Sequence, residues 1–303
     1  MYRMEKIVPL IGPSVVGPLG AMHLPRMWEK SVLSAAGLLW DGYFDNYKGF
    51  NAQVCDGLGL EPEAWFAFLA TMPTYPQAED YVKANAKTLS AESIAALNTR
   101  ITTYERPEDA SAIVRTRTGI ADPNLRISFR LLDFDDWFTI REEIAAHRAG
   151  GIEPLVPMVS SSQMGLLGIP HLPRLWIKAL LAAVQALPAD WKTGTVCGFD
   201  TKLADMIGLD LVAATAYISK ELPDYGTFEN WVRDHIAQPD AAKKAEWVAT
   251  IAGMQKNEEQ AGRECLECGL PASGLRGTVL LNDLVDWKYM HAHAVAGRVA
   301  RVR

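Results

Sequence analysis

Four cysteines in 303 residues are too few for a disulfide framework. No apolar run reaches the roughly 20 residues needed to span a bilayer. Basic residues are not in excess: 30 Lys and Arg stand against 36 Asp and Glu, a net charge of −6, so the electrostatic footprint of a nucleic-acid binder is missing. There is no glycine-rich phosphate loop, no G-x-S-x-G turn and no H-E-x-x-H. These absences disfavour nucleotide-driven chemistry, serine hydrolysis and zincin-type proteolysis. What remains is a chain that is 49% hydrophobic and long enough for one large core or two moderate ones. The expectation is a soluble, cytoplasmic protein with neither nucleic acid nor membrane as a partner.

What the chain does have is one segment written twice. Ile7 to Lys30 and Leu155 to Lys178 align without a gap at an offset of 148, with 12 identities in 24 positions. Average residue usage would give roughly one or two. The match includes an unbroken His-Leu-Pro-Arg, so His23 and His171, and Arg26 and Arg174, are one position used twice. The repeat also bears on the N-terminus. Arg3 and Lys6 before an apolar run resemble a leader peptide, but the same run recurs in mid-chain, so it is expected to belong to the folded unit.

Later matches extend the register. Gly49-Phe50-Asn51 pairs with Gly198-Phe199-Asp200, and Asp133 to Trp137 pairs with Asp283 to Trp287. The tryptophans Trp28/Trp176 and Trp137/Trp287 fall at equivalent positions. The break is expected near Gly150-Gly151, giving a first repeat over 1–150 and a second over 151–303, related by a pseudo-twofold axis.

Most of the chain carries helical spacing. Pro25 and Pro173 stand in the first turn of a helix continuing to about Leu39 and Leu187. Ser90 caps a run through Tyr104, Pro239 opens a helix to about Asn257, and each unit closes on a helix near Asp135 or Asp283. Ile127 to Leu131 and Thr278 to Leu281 are the only stretches with strand character. The expected class is all-α, with minor β possible.

The pattern LG-x-x-x-LPR with a following Lys, then GF[ND], then a Gly-Leu step, resembles an uncharacterised bacterial family of helical domains of about half this length. The residues carrying it are Leu19, Gly20, Leu24, Pro25, Arg26, Lys30, Gly49, Phe50, Asn51 and Gly59. In the second copy they are Leu167, Gly168, Leu172, Pro173, Arg174, Lys178, Gly198, Phe199, Asp200, Gly208 and Asp210. The resemblance implies a helical fold in tandem and no particular chemistry. His23 and His171 depart from it, which marks them as special to this chain.

An arginine in the first turn of a helix opposes the helix dipole and needs an anion. For Arg26 and Arg174 that anion is either an internal carboxylate, with Asp136 and Asp286 as candidates, or a bound carboxylate or phosphate. His23 and His171, just ahead of the helix, are disfavoured as imidazolium there and suit a general base. Ser160-Ser161-Ser162-Gln163 stands where the first copy has Gly12-Pro13-Ser14-Val15, which points to specialisation of the second copy or to loop drift. Cys265-x-x-Cys268 with His291-x-His293 is a poor match to zinc spacing, and no metal or organic cofactor is expected.

The leading expectation is a lyase, hydratase or isomerase acting on an anionic, possibly aromatic small molecule between the repeats. His171 and His23 would be catalytic. Arg174, Arg26, Trp28, Trp176, Ser161, Ser162, Asp136 and Asp286 would contact substrate. A non-catalytic binding or assembly protein, and a metal-dependent enzyme using the two histidines, are the alternatives.

Overall fold

The computed structural model describes residues 4–236, 241–272 and 274–296. It is mainly helical. Among the described residues seven α-helices precede residue 150: α1 (Leu24–Ala35), α2 (Phe50–Leu58), α3 (Pro62–Leu69), α4 (Tyr75–Asn85), α5 (Ala91–Thr103), α6 (Glu108–Thr118) and α7 (Ser128–Ala146). Seven follow in the same order: α8 (Leu172–Ala183), α9 (Gly198–Ile207), α10 (Leu211–Glu221), α11 (Tyr225–His235), α12 (Ala241–Gly253), α13 (Glu258–Glu267) and α14 (Thr278–Ala296). Pro239, expected to open a helix, lies outside the described residues.

Side-chain caps start many of these helices. Ser90, Thr74, Asp210, Asp224 and Asn257 each accept the backbone N–H three residues on. The helix expected to reach Leu39 stops at Ala35: Gly37 turns left-handed (φ 72°) and Leu38 N–H donates back to Leu33 O at 2.7 Å.

The two stretches with strand character are helix starts. Ser128 opens α7 and Thr278 opens α14, and only single bridges remain, Glu105 to Ile127 and Gln255 to Gly277. The buried residues Leu131, Phe134, Trp137, Ile140 and Ile144 recur at three and four, so Leu131, the last residue of the first stretch, begins one buried face of a 19-residue helix.

The segments ahead of α1 and α8 are irregular yet buried, so their backbone groups need partners inside the protein. Side chains supply them. Glu29 accepts from Leu10 N–H and Ile11 N–H, Glu79 from Leu19 N–H, and Glu229 from Leu166 N–H and Leu167 N–H. Gly17 and Gly165 are identical in the two copies for a steric reason. A Cβ there would come 2.5 Å from a Glu79 carboxylate oxygen and 2.3 Å from one of Glu229.

Residues on both sides of position 150 share one core. Trp287 of α14 packs on Tyr75 at 4.5 Å and on Trp28 at 6.3 Å between ring centroids. Trp137 of α7 packs on Tyr225 at 4.5 Å, and Tyr225 on Trp176 at 5.6 Å. Arg141 Nε donates to Leu222 O at 2.7 Å, and His291 Nε2 donates to Met72 O at 2.9 Å. The last helix of each half therefore seals the other half. No helix of the described residues is long and apolar enough to cross a membrane.

Candidate functional site

His23 and His171 occupy the N-cap positions of α1 and α8 with φ of 65° and 72°. Left-handed backbone at a non-glycine residue is costly and persists where the surroundings enforce it. Pro at the second helical position follows in each case and fixes the turn into the helix. Both imidazoles are buried.

One turn on, each arginine finds its anion inside the chain. Arg26 pairs with Asp136 at 2.7 Å and donates to Pro9 O and Ile11 O. Arg174 pairs with Asp286 at 2.7 Å and donates to Pro157 O and Val159 O. Each guanidinium thus ties the buried leading segment to the closing helix. Tyr43 donates to Asp136 at 2.6 Å, and Trp191, 148 residues later, donates to Asp286 at 2.8 Å.

The second half builds a three-residue relay. Asp200 accepts from His171 Nε2 at 2.8 Å and from Lys178 Nζ at 2.7 Å, both on the same oxygen, while Gly194 N–H donates to the other. Although burial opposes it, the bond from His171 and the charge of Lys178 hold the Asp200 carboxyl down to about 2. A carboxylate only accepts, so Nε2 carries the imidazole proton and Nδ1 is left bare. Ser161 Oγ lies 2.8 Å from that nitrogen, so its hydroxyl donates to Nδ1. Burial, helped by Lys178, lowers the His171 pKa to about 4 against the pull of Asp200, so the ring is neutral at pH 7. Ser160 donates to Asp283 at 2.7 Å and receives Ser162 N–H, which shapes the loop presenting Ser161.

The first half keeps the histidine and loses both ends of the relay. Asn51 replaces Asp200, and its amide is oriented by a donation from Nδ2 to Asn46 O at 2.8 Å. Its oxygen accepts from His23 Nε2 and from Lys30 Nζ, each at 3.0 Å. Pro13 stands at the position of Ser161, and among the described residues the bare Nδ1 of His23 has no hydrogen-bond partner. Burial, together with Lys30 and Arg26, lowers the His23 pKa well below its ordinary value.

Each histidine borders a cavity of its own. That beside His23 has a volume of about 710 Å³ and is walled by Trp40, Tyr43, Phe44, Phe50 and Tyr104. That beside His171 measures about 510 Å³ and includes Ser161, Lys178, Trp191, Lys256 and Glu264 in its wall. The histidines, expected to line one pocket, do not converge. Trp28 and Trp176 border neither cavity: each is fully buried, and its indole N–H donates to a proline carbonyl, Pro73 and Pro223 respectively. Ser162 is exposed and does not border the 510 Å³ cavity, whereas Asp286 does. Cys265 and Cys268 are buried free thiols, and His291 stacks on Trp28. Among the described residues no group of three or more His, Cys, Asp or Glu is placed to hold a metal ion.

Asp200 and Lys178, which the structure joins to His171, were not among the site residues expected from the sequence. Both stood inside the duplicated pattern, and the change from Asn51 to Asp200 beside an unchanged lysine was the available signal. No family model, curated protein or solved structure matches the chain.

Proposed function

We propose that the chain is a small-molecule enzyme, working without an organic cofactor, whose proton-transfer centre is Ser161–His171–Asp200. The observation that carries this reading is His171 held at 2.8 Å on both ring nitrogens, between a hydroxyl and an ionised carboxylate, at the wall of a 510 Å³ cavity. A hydroxyl, a base and a group that orients the base is the arrangement that activates an oxygen for reaction. Both nitrogens are engaged, so the atom that meets the substrate is Ser161 Oγ. Its proton passes to Nδ1, and the imidazolium so formed faces Asp200. This serves proton relay in lyase, hydratase or isomerase chemistry and nucleophilic attack alike.

Arg174 is already neutralised by Asp286, so its part is to hold the Ser161 loop on α14 rather than to anchor an anionic substrate. The finer architecture belongs to the same proposal: two repeats, 1–150 and 151–303, about an approximate twofold axis. The reciprocal contacts of Arg141 with Leu222 and His291 with Met72 support it. A cytoplasmic location completes the reading.

An alkyl fluorophosphonate tests the centre. Attack by Ser161 Oγ forms the P–O bond, fluoride leaves, and the serine proton goes to His171. Stoichiometric labelling that S161A abolishes and H171Q slows is the expected result; labelling indifferent to His171 sinks the reading. The competing reading is a binding protein without chemistry, favoured by the burial of Ser161 to 1% exposure and by the two internal arginine pairs. It requires no labelling at all.

A further inference from the structure

The two cavities are lined at equivalent positions and differ in charge. In the second, Asp200 neutralises Lys178, whose ammonium also donates to Lys192 O at 3.0 Å and contacts Cys197 Sγ at 3.2 Å. Lys256 at the same wall pairs with Glu264 and donates to Asn282. The positions of Asp200, Glu264 and Glu267 are held in the first half by Asn51, Val114 and Arg117. Two carboxylates are replaced by uncharged side chains and the third by Arg117, which pairs with Asp135 on the same wall, so the difference falls on the positions of Asp200 and Glu264.

The consequence falls on Lys30 and Arg106, the counterparts of Lys178 and Lys256. Lys30 is 4% exposed, yet its hydrogen bond goes to a neutral amide and its ammonium lies 4.8 Å from the centre of the Phe44 ring. No carboxylate of the described residues forms an ion pair with it; burial, with the charge of Arg26, lowers its pKa to about 7, and Asp136, Asp45 and Glu29 oppose this only from farther away. Arg106, half-buried on the same wall, donates Nε to Ser128 Oγ at 3.1 Å and likewise has no ion pair among the described residues. Buried charges are ordinarily paired, because removing an ion from water costs several kcal/mol unless an opposite charge compensates.

We propose that the first-half cavity is a binding site for an aromatic acid, its carboxylate on Lys30 backed by Arg106 and its ring against Tyr43, Phe44 and Tyr104. The volume, about 710 Å³, lies within the range of small-molecule pockets. Aromatic side chains favour an aromatic ligand through edge and offset ring contacts. His23 bonds Asn51 where His171 bonds Asp200, and Pro13 stands where Ser161 does, so the arrangement of the second half is not repeated at this cavity. This inference is independent of the Ser161 reading and survives its failure.

2-Naphthoate and its neutral analogue 2-naphthamide, titrated calorimetrically into the full chain, test it. Naphthoate binds, and naphthamide binds roughly thirtyfold more weakly or worse, the scale of removing one partner from a buried charge pair. Asn51→Asp gives Lys30 the internal partner that Lys178 has and weakens naphthoate by a similar factor, and Lys30→Met does the same. Circular dichroism of both variants establishes that they fold; Asn51→Asp keeps the test decisive if Lys30→Met does not. Absence of naphthoate binding at millimolar concentration overturns the proposal. So does equal binding of acid and amide, or unchanged binding in a folded Asn51→Asp protein.

Discussion

At the start of α1 and at the start of α8 the same four residues, His-Leu-Pro-Arg, fold into the same turn and then meet different surroundings. The arginines behave alike: each is buried, paired with an aspartate of the closing helix, and bonded to two carbonyls of the leading segment. The histidines do not. His171 sits between Ser161 and Asp200, whereas His23 bonds Asn51 through Nε2 and no described residue through Nδ1. The repeated positions that hold buried backbone are alike in their contacts, and those beside the two cavities differ. A group that satisfies buried backbone is constrained by the chain it stabilises, whereas a group facing a cavity is constrained only by what enters it.

That division makes its largest demand on the arginines. Arg26→Ala and Arg174→Ala should each destabilise the protein by about 3–5 kcal/mol, the scale for leaving a buried carboxylate without its partner. Urea unfolding followed by circular dichroism measures this. Near-equal losses keep the two positions equivalent; a loss under about 1 kcal/mol in either would show that its aspartate can do without it.

The histidines should then separate. His171→Gln should slow fluorophosphonate labelling by roughly 10²–10⁴-fold, the usual worth of a positioned proton-transfer group. His23→Gln should leave labelling unchanged. Equal, small effects from both substitutions would return the pair to a shared role in the turn.

A smaller effect sharpens the comparison of the cavities. Asp200→Asn removes the carboxylate from Lys178 and makes the second cavity resemble the first. It should add a second naphthoate site, weaker than the first by no more than about tenfold, visible as a second equivalent in calorimetry. A stoichiometry that stays at one would show that the lysine's counter-charge is not what separates the two cavities.

The last effect concerns pH. The His171 pKa falls from 6.5 unfolded to about 4 folded, so its contribution to stability is fully present above about 6.5 and is lost as pH drops toward 4. Glu29 and Asp283, both pushed up to about 7 by burial, act in the opposite sense, favouring the folded state at low pH and losing that contribution as pH rises to about 7. Thermal melts between pH 4 and 7 should therefore show a shallower acid loss in His171→Gln than in the parent. His23→Gln should show the same change, because burial lowers His23 as well. A slope identical to the parent's in either variant contradicts the buried neutral imidazole at that position.

Much of the fold was legible before any coordinates. Proline in the first turn and the capping Ser90 place helices, and the repeat places them twice. Residues 127–131 were misleading because five residues cannot distinguish alternation from the first turn of a long buried helix; Phe134 and Trp137 settle it. Asp136 and Asp286 could be nominated as the arginines' partners from charge alone. The expectation of a single pocket holding both histidines had no such anchor, since it rested on where an axis would fall.

By itself the sequence determined the duplicated turn, the helical class, and the need of Arg26 and Arg174 for an anion, because these follow from residues close along the chain or from a charge that must be balanced. Only the tertiary structure decided which anion each takes and that His23 and His171 face separate cavities. It alone set Ser161 and Asp200 on opposite sides of one imidazole. Those outcomes depend on contacts between residues as much as 112 positions apart, and distances of that kind are fixed by how helices pack rather than by any local pattern.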